Sequence, residues 1–208
     1  MRAPRVVTVM VIWLLLGAAS TQGQTDAKPN AGLRIGVNSS FLEVSGSGTS
    51  SRVGFVGGGQ VALPVGDFSV ELDALYSQKG FKKATNEDFT NWEAKFDYLD
   101  FPLMLRYDLA MDGNAEPFFY GGFLGGILLS AKHKADETDL QWVDVKDKLP
   151  TMNWGLVFGI GLEYLGAFVD LRYNHGLTNL NDEFPTMAEI HDRTLQLMIG
   201  YAWGEGRE

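Results

Sequence analysis

Apolar and polar positions alternate along most of the chain after its first two dozen residues. The clearest case is residues 152–164, MNWGLVFGIGLEY, where bulky apolar or aromatic side chains occupy every second position and small or polar residues lie between them. Because successive side chains on a strand point to opposite faces, this segment is predicted to be a strand with one apolar face. That face must contact either a protein core or lipid.

The same period of two predicts eight strands. They are expected at residues 32–38, 53–63, 68–77, 95–109, 118–130, 152–164, 167–177 and 194–203. In the fifth strand the aromatic and glycine residues leave open which side chains share a face. Pro102 lies inside the fourth strand, and we expect a bulge or a local bend there because proline removes a donor from the ladder.

The connections between the predicted strands alternate in length. The short ones include residues 64–67 (PVGD), residues 111–116 and a two-residue hairpin at Leu165 and Gly166. The long, polar ones are expected at residues 40–52, 80–94, 132–150 and 178–192. Outer-membrane barrels have this asymmetry, with short periplasmic turns and longer outer loops. We therefore predict an all-β fold, an eight-stranded antiparallel up-and-down transmembrane β-barrel, with a soluble periplasmic barrel as the alternative.

The N-terminus has the pattern of a secretory signal peptide. Arg2 and Arg5 precede an apolar run at residues 6–16, and small residues follow. The run is too short to cross a bilayer as a helix. We predict a cleavable signal peptide at residues 1–23 and a barrel domain at residues 24–208.

Composition restricts the partners and the chemistry. The chain has 26 acidic and 17 basic side chains, which argues against a nucleic-acid partner. It has no cysteine, which excludes disulfides, thiolate metal sites and thiol nucleophiles, and no cofactor is predicted. Its 25 glycines are unusual, because many lie within predicted strands, where glycine marks a bend, a bulge or a close approach.

Four segments resemble the PorT-like family of small outer-membrane β-barrel proteins. They are LYSQKG at residues 75–80, DYLDFPLMLRY at 97–107, GLVFGIGLEY at 155–164 and LRYNHGLTNLND at 171–182. The resemblance implies a protein of the Gram-negative outer membrane that the barrel-assembly machinery inserts. It implies no activity, because the name-giving member is associated with a secretion system and no residue here carries that role over. Such barrels commonly end on an aromatic residue, whereas GEGRE follows Trp203 here.

Charged side chains collect on the inward faces of the predicted strands. The lumen of an eight-stranded barrel is just wide enough for side chains to fill it, and buried charges must be paired. We therefore predict a closed polar network in which Arg106 and Arg172 neutralise the carboxylates, and a narrow ion path is the alternative role. The network comprises Arg34, Glu71, Asp73, Asp100, Arg106, Glu163, Asp170 and Arg172, with Asn38, Gln60 and Asn174 beside them.

Aromatic side chains on the outward faces are predicted to form girdles at the two membrane interfaces, in contact with outer-membrane lipid. These residues are Tyr76, Tyr107, Trp154, Tyr164, Tyr173, Tyr201 and Trp203.

The predicted outer loops carry the remaining candidate chemistry. Lysines in or near the second and third of these loops are suited to the phosphates of lipopolysaccharide, but interleaved carboxylates favour ordinary solvated loops. They are Lys79, Lys82, Lys83, Lys132, Lys134, Lys146 and Lys148. A divalent-ion site around the last loop is geometrically possible, but its residues lack tight ligand spacing, which favours ordinary solvated side chains. Those residues are His175, Asp182, Glu183, Glu189, His191 and Asp192.

The sequence indicates no catalytic residue. Glu71 and Asp73 share a face but have no recognisable cleft, and no GxSxG elbow is present. We predict a non-enzymatic outer-membrane barrel with a plugged lumen, a scaffold whose outer loops bind a protein partner, a surface ligand or lipopolysaccharide. The alternatives are a small barrel enzyme acting on outer-leaflet lipid and a narrow porin-like channel. The sequence leaves the ligand of the loops and the oligomeric state open.

Overall fold

The computed structural model describes residues 28–44, 50–83, 92–111, 113–135, 142–179 and 190–204. These residues form nine strands and a short 3-10 helix at Lys146–Lys148. The strands are β1 (Asn30–Val44), β2 (Ser50–Val65), β3 (Phe68–Lys83), β4 (Trp92–Asp108), β5 (Ala115–Ala135), β6 (Val143–Asp144), β7 (Met152–Tyr164), β8 (Ala167–Gly176) and β9 (Ile190–Trp203). The predicted signal peptide lies outside the described residues. Within them, no helix is long and apolar enough to span a bilayer.

Eight long strands close into a barrel. They pair antiparallel in the order β4, β3, β2, β1, β9, β8, β7, β5, and the pairing of β4 with β5 completes the ring. The two-residue strand β6 pairs only with β5, beyond the point where β7 leaves it. The predicted eight-stranded antiparallel up-and-down barrel is confirmed. Closure removes the free sheet edges that an open sheet would expose.

The two ends of the barrel differ in their connections. At one end, the short-turn end, β2 and β3 are joined through Gly66 and Asp67, and β7 and β8 through Leu165 and Gly166. Leu165 and Gly166 both have positive φ, 51° and 85°, which is the pattern of the type I′ hairpin turn. At the other end, the long-loop end, the connections include residues 84–91 and 177–189. In outer-membrane barrels the short turns face the periplasm.

Several strands continue further toward the long-loop end than the sequence predicts. β1 extends to Val44, β3 to Lys83 and β5 to Ala135, so the predicted loops at 40–52, 80–94 and 132–150 are too wide. The reason is that polar residues outside the hydrocarbon still complete the backbone ladder. A transmembrane strand needs about 9–11 residues, whereas β4 has 17 and β5 has 21. Their surplus residues, 92–97 and 130–135, form what we call the outer ribbon.

The sheet is irregular at Pro102, where the sequence predicts it, and at two further places. At Pro102 the pairing of β3 with β4 stops at Leu72 and Leu103 and resumes at Leu75 and Asp100 in the same register, so no bulge lies there, and the alternative of a local bend stays a prediction. The ladder is interrupted instead, which accommodates the missing N–H without an extra residue. Register shifts occur between Ser51 and Val56 of β2, and in β4–β5 pairing between Asp97 and Tyr98.

The two faces of the wall have opposite character. In β7 the outward side chains of Trp154, Phe158 and Ile160 are exposed, whereas Asn153 and Val157 are buried toward the lumen. The open phase of β5 is settled in the same way, because Tyr120 and its inward neighbours are buried and Phe123 on the opposite face is 69% exposed. A continuous exposed apolar wall is the surface that a membrane barrel presents to lipid.

Candidate functional site

All eight residues of the predicted lumen network have their side chains on the inward face, and none of these residues is more than 2% exposed. They are Arg34, Glu71, Asp73, Asp100, Arg106, Glu163, Asp170 and Arg172. The side chains of Asn38, Gln60 and Asn174 are buried with them. Burial of so many charges requires close pairing, because each isolated charge would cost several kcal/mol to desolvate.

Arg34 lies at the centre of the pairing near the short-turn end. Its guanidinium donates hydrogen bonds to the Glu71 carboxylate and to the side-chain oxygen of Gln60. The same group lies 3.1 Å from Asp170 Oδ2 and 3.3 Å from Asp73 Oδ2. One arginine of β1 therefore connects carboxylates of β3 and β8 across the lumen.

Arg106 closes the network on the side of the short turns. Its Nη2 lies 2.8 Å from Glu163 Oε2 and 2.5 Å from Asp108 Oδ1, and its Nη1 lies 3.8 Å from Glu71 Oε2. The guanidinium also stacks on the ring of Phe118, 3.8 Å from the centroid. Asp108 is partly exposed at this end and was not among the predicted site residues.

Arg172 completes the group that we call the inner network, which consists of Arg34, Glu71, Asp73, Arg106, Glu163, Asp170 and Arg172. Arg172 Nη1 lies 2.9 Å from Asp73 Oδ2, and its Nε donates to the hydroxyl of Tyr120 at 2.8 Å. Tyr120 in turn donates to Asp170 Oδ2 at 2.9 Å. The prediction omitted Tyr120 because the phase of β5 was open. Arg34 and Arg106 are both predicted to point inward, and they meet because both pair with the carboxylate of Glu71.

Asp100 belongs to a second group, nearer the long-loop end, that we call the outer network. Lys79 Nζ lies 3.0 Å from Asp100 Oδ2, 3.4 Å from Asp192 Oδ2 and 4.9 Å from the centroid of the Tyr98 ring. The prediction that Arg106 and Arg172 neutralise Asp100 is therefore wrong. Asp192, expected at the end of the last outer loop, and Lys79, expected in or near the second, both lie buried on strands instead.

A polar row and a small apolar cluster fill the lumen between the two networks. Asn38 Nδ2 donates to Ser77 Oγ at 2.9 Å, and Gln196 Nε2 donates to Asn38 Oδ1 at 2.9 Å. Beside them the apolar cluster is fully buried and consists of Val56, Leu75 and Met198.

Apolar side chains cover the inward surface at the long-loop end. Ala94, Phe96, Tyr98, Leu128 and Ala131 form a buried cluster, against which Phe81, Val145 and Leu149 pack. Val145 N–H donates to the carbonyl of Ala131 at 3.0 Å, and Leu128 N–H donates to that of Thr151 at 2.9 Å. Val145, Leu149 and Thr151 are thereby held against the inner side of β4 and β5.

The predicted girdle residues all point outward and fall into two sets. Tyr107, Tyr164, Tyr201 and Trp203 lie near the short-turn end, and Tyr76, Trp154 and Tyr173 lie nearer the long-loop end. Tyr107 contacts its neighbours Phe68 and Phe119, at 5.1 Å and 5.4 Å between ring centroids. Tyr201 and Trp203 are stacked at 6.3 Å.

The described residues contain no cluster of three or more His, Asp or Glu side chains suited to a metal ion. Asp182, Glu183 and Glu189 lie outside those residues, so the predicted surroundings of His175 and His191 are described only in part. Glu71 and Asp73, the two carboxylates that share a face of β3, are both held in ion pairs with Arg34.

Comparison with known proteins identifies the family. The sequence profile described as "Outer membrane protein beta-barrel domain" matches residues 22–182. The chain belongs to this family of outer-membrane β-barrels. Its exposed apolar wall is therefore its lipid-facing surface, and it is an integral protein of the outer membrane. Comparison with curated protein sequences gives no match.

Solved structures with a similar barrel share little sequence with the chain. The Neisserial surface protein A has 14% identity and a TM-score of 0.48, with 82% of this chain and 96% of that one covered. Ail of Yersinia pestis, solved with the heparin analogue sucrose octasulfate, has 14% identity and a TM-score of 0.44, with 85% and 99% covered. The outer-membrane enzyme PagL has 15% identity and a TM-score of 0.43, with 83% and 98% covered.

Proposed function

We propose that this barrel is a closed scaffold of the outer membrane that presents its outer ribbon and loops to a ligand or protein partner. The observation that carries the proposal is the inner network, in which three buried guanidinium groups pair with four buried carboxylates across the lumen. Because an eight-stranded lumen holds little more than its own side chains, such a network supports a plug and not a pore.

The outer network gives independent support to a closed lumen. The ion pairs of Lys79 with Asp100 and Asp192 connect β3, β4 and β9. They therefore block the lumen at a second level, nearer the long-loop end. Above it, Val145 and Leu149 pack against the apolar cluster of β4 and β5. A permeating ion would have to break the buried ion pairs at both levels, at a cost of several kcal/mol for each charge left unpaired.

A binding role is proposed in preference to catalysis. The carboxylates of the lumen neutralise arginine and lysine side chains, and this structural use leaves them poorly suited to proton transfer. The outer ribbon, in contrast, is set beyond the length of strand that the hydrocarbon requires, where a partner or a lipid headgroup has access to it.

We also propose that the chain is a PorT-like barrel that enters the envelope through a cleaved signal peptide at residues 1–23. The four segments that resemble that family support the first part, and the basic start with its short apolar run supports the second. We propose further that the barrel-assembly machinery inserts it and that the outward tyrosine and tryptophan residues anchor it at both interfaces. Mass determination of the mature protein tests the cleavage, since a chain that retains residue 1 would contradict it.

Protease treatment of intact cells, followed by isolation of the outer membrane, tests the scaffold proposal. Cleavage within residues 84–91, 136–141 or 180–189, with the barrel strands protected, is the expected result. Cleavage only after the outer membrane is made permeable would place these segments in the periplasm and would overturn the proposal. A positive control is a known surface-exposed protein, and a negative control is a periplasmic one.

A further inference from the structure

Two lysines lie side by side on the outward face of the outer ribbon. Lys95 of β4 and Lys132 of β5 are direct partners in the register of the two strands. Directly opposed residues of an antiparallel pair share a face, with Cβ atoms about 4.5–5.5 Å apart, and like charges in this position destabilise the sheet. Neither ammonium group has an ion-pair partner among the described residues. An anion bound between them would remove the repulsion.

One carboxylate of the ribbon, Glu93, is already shared by two other cations. Glu93 lies 3.4 Å from Arg52 Nε and 3.5 Å from Lys134 Nζ. It therefore adds no free negative charge that could neutralise Lys95 or Lys132.

Two more carboxylates border the lysine pair. Asp144 is the partner of Lys132 on β6, and its Oδ1 accepts a hydrogen bond from the backbone N–H of Lys146 at 2.9 Å. Asp97 is two residues from Lys95 along β4 and is partly buried. Arg52, Lys95, Lys132 and Lys134 thus exceed Glu93, Asp97 and Asp144 in number, in a chain whose net charge is −9.

The lysine pair lies at the height of the outer-leaflet headgroups. The outward residues of β4 are apolar or aromatic from Tyr107 to Leu99, and charges begin at Asp97. A transmembrane strand needs about 9–11 residues, so Lys95, which follows that apolar stretch, stands just beyond the hydrocarbon. On β5 the last outward apolar residue before Lys132 is Leu129.

We infer that Lys95 and Lys132 together bind a phosphate group of lipid A in the outer leaflet. Two adjacent ammonium groups provide six N–H donors for phosphate oxygens, and charge-assisted hydrogen bonds of this kind are about twice as strong as neutral ones. The apolar wall below, which includes Leu99 and Leu129, offers a surface for the acyl chains of the same lipid. This inference deepens the proposed function and rests on the outer ribbon being outside the cell.

The test is binding of bisphosphorylated lipid A to the full-length protein, folded in detergent micelles and followed by native mass spectrometry. The Lys95→Gln/Lys132→Gln variant is expected to bind about tenfold more weakly than the wild type, because it loses one or two charge-assisted hydrogen bonds to the phosphate. The matched control is Lys146→Gln, an exposed lysine of the 3-10 helix that is not a member of the β4–β5 register pair, which is expected to bind within twofold of the wild type. Heat-modifiable gel migration establishes that each variant is folded.

Dephosphorylated lipid A and inorganic phosphate identify what is recognised. The difference between wild type and double variant is expected to vanish with dephosphorylated lipid A, and inorganic phosphate is expected to bind much more weakly than lipid A. Equal binding of lipid A by wild type and double variant overturns the inference, as does equal affinity for inorganic phosphate. If the double variant does not fold, the single variant Lys132→Gln replaces it in the binding measurement. The Lys95→Arg/Lys132→Arg variant, which keeps both positive charges, is expected to retain lipid A binding. Protease treatment of wild-type cells reports on the scaffold proposal separately.

Discussion

The ring of Tyr120 lies directly over Gly159 on the neighbouring strand, because the two residues are partners in the register of β5 and β7. A Cβ atom at residue 159 would lie 2.3 Å from Tyr120 Cζ, closer than any real contact. The same arrangement recurs twice, at Phe118 with Gly161 and at Phe168 with Gly200. Glycine within these strands is therefore explained by close approach of an inward aromatic ring, which is one of the uses that glycine has in a sheet.

Gly159→Ala is expected to displace Tyr120 and to weaken its hydrogen bonds with Asp170 and Arg172. Overpacking of this kind costs about 1–3 kcal/mol, measured as the free energy of unfolding in urea with detergent micelles. The control is Gly59→Ala, since a Cβ there meets only ordinary contacts of 3.7 Å and longer. Equal stability of the two variants would contradict the claim that the Tyr120 ring requires glycine at residue 159.

Arg172→Met is expected to lower the free energy of unfolding by about 3–5 kcal/mol, because it leaves the buried carboxylates of Asp73 and Asp170 without one of their partners. Adding Asp73→Asn to this variant is expected to recover part of the loss, since the amide carries no charge. The measurement is the same urea titration. An Arg172→Met protein as stable as the wild type would show that the ion pairs do not hold the barrel.

Phe158→Arg is expected to cost about 2–4 kcal/mol or to prevent assembly, because it places a charge near the middle of the lipid-facing wall. Phe158 is 51% exposed and lies against Gly121, so the replacement meets lipid and not protein. Phe158→Leu, which keeps an apolar side chain, is the control and is expected to assemble normally. The readout is the heat-modifiable gel shift of the membrane fraction. Normal assembly of the arginine variant would mean that this face does not contact lipid.

Leu165→Asn is expected to stabilise the protein by up to about 1 kcal/mol, because Asn tolerates the positive φ that costs leucine roughly 1–2 kcal/mol. Leu165 has φ 51° and is exposed in the turn, so the change loses little packing. Leu165→Val is the contrasting variant and is expected to destabilise, because β-branched residues avoid this conformation. Thermal unfolding in micelles compares the three proteins. A destabilised asparagine variant would show that the packing of the leucine side chain contributes more to stability than its positive φ costs.

The fold and most of the inner network were predictable because a barrel wall obeys simple alternation. The inward phase read from residues such as Arg34 and Asp170 holds for every network residue that the sequence indicated. Alternation alone cannot say which charges meet, because pairing depends on the stagger of the strands around the lumen. For that reason the sequence assigned Asp100 to the arginines, whereas Lys79 is its partner.

The ends of the strands were the least predictable part. Lys79 continues the inward phase of Glu71, Asp73 and Ser77, but its polar surroundings suggested a loop. The pairing of Lys95 with Lys132 could not be predicted from the sequence for another reason. It depends on the register of β4 against β5, which includes a shift between Asp97 and Tyr98 that no periodic pattern indicates.

The closed lumen is the central claim, and electrical recording across a planar lipid bilayer tests it most directly. The wild-type protein, inserted and shown to be folded, is expected to give no discrete current steps at any applied voltage that the bilayer withstands. An open outer-membrane porin serves as the positive control. Reproducible single-channel steps from the wild-type barrel, absent from a mock preparation, would contradict the claim that paired side chains close the lumen.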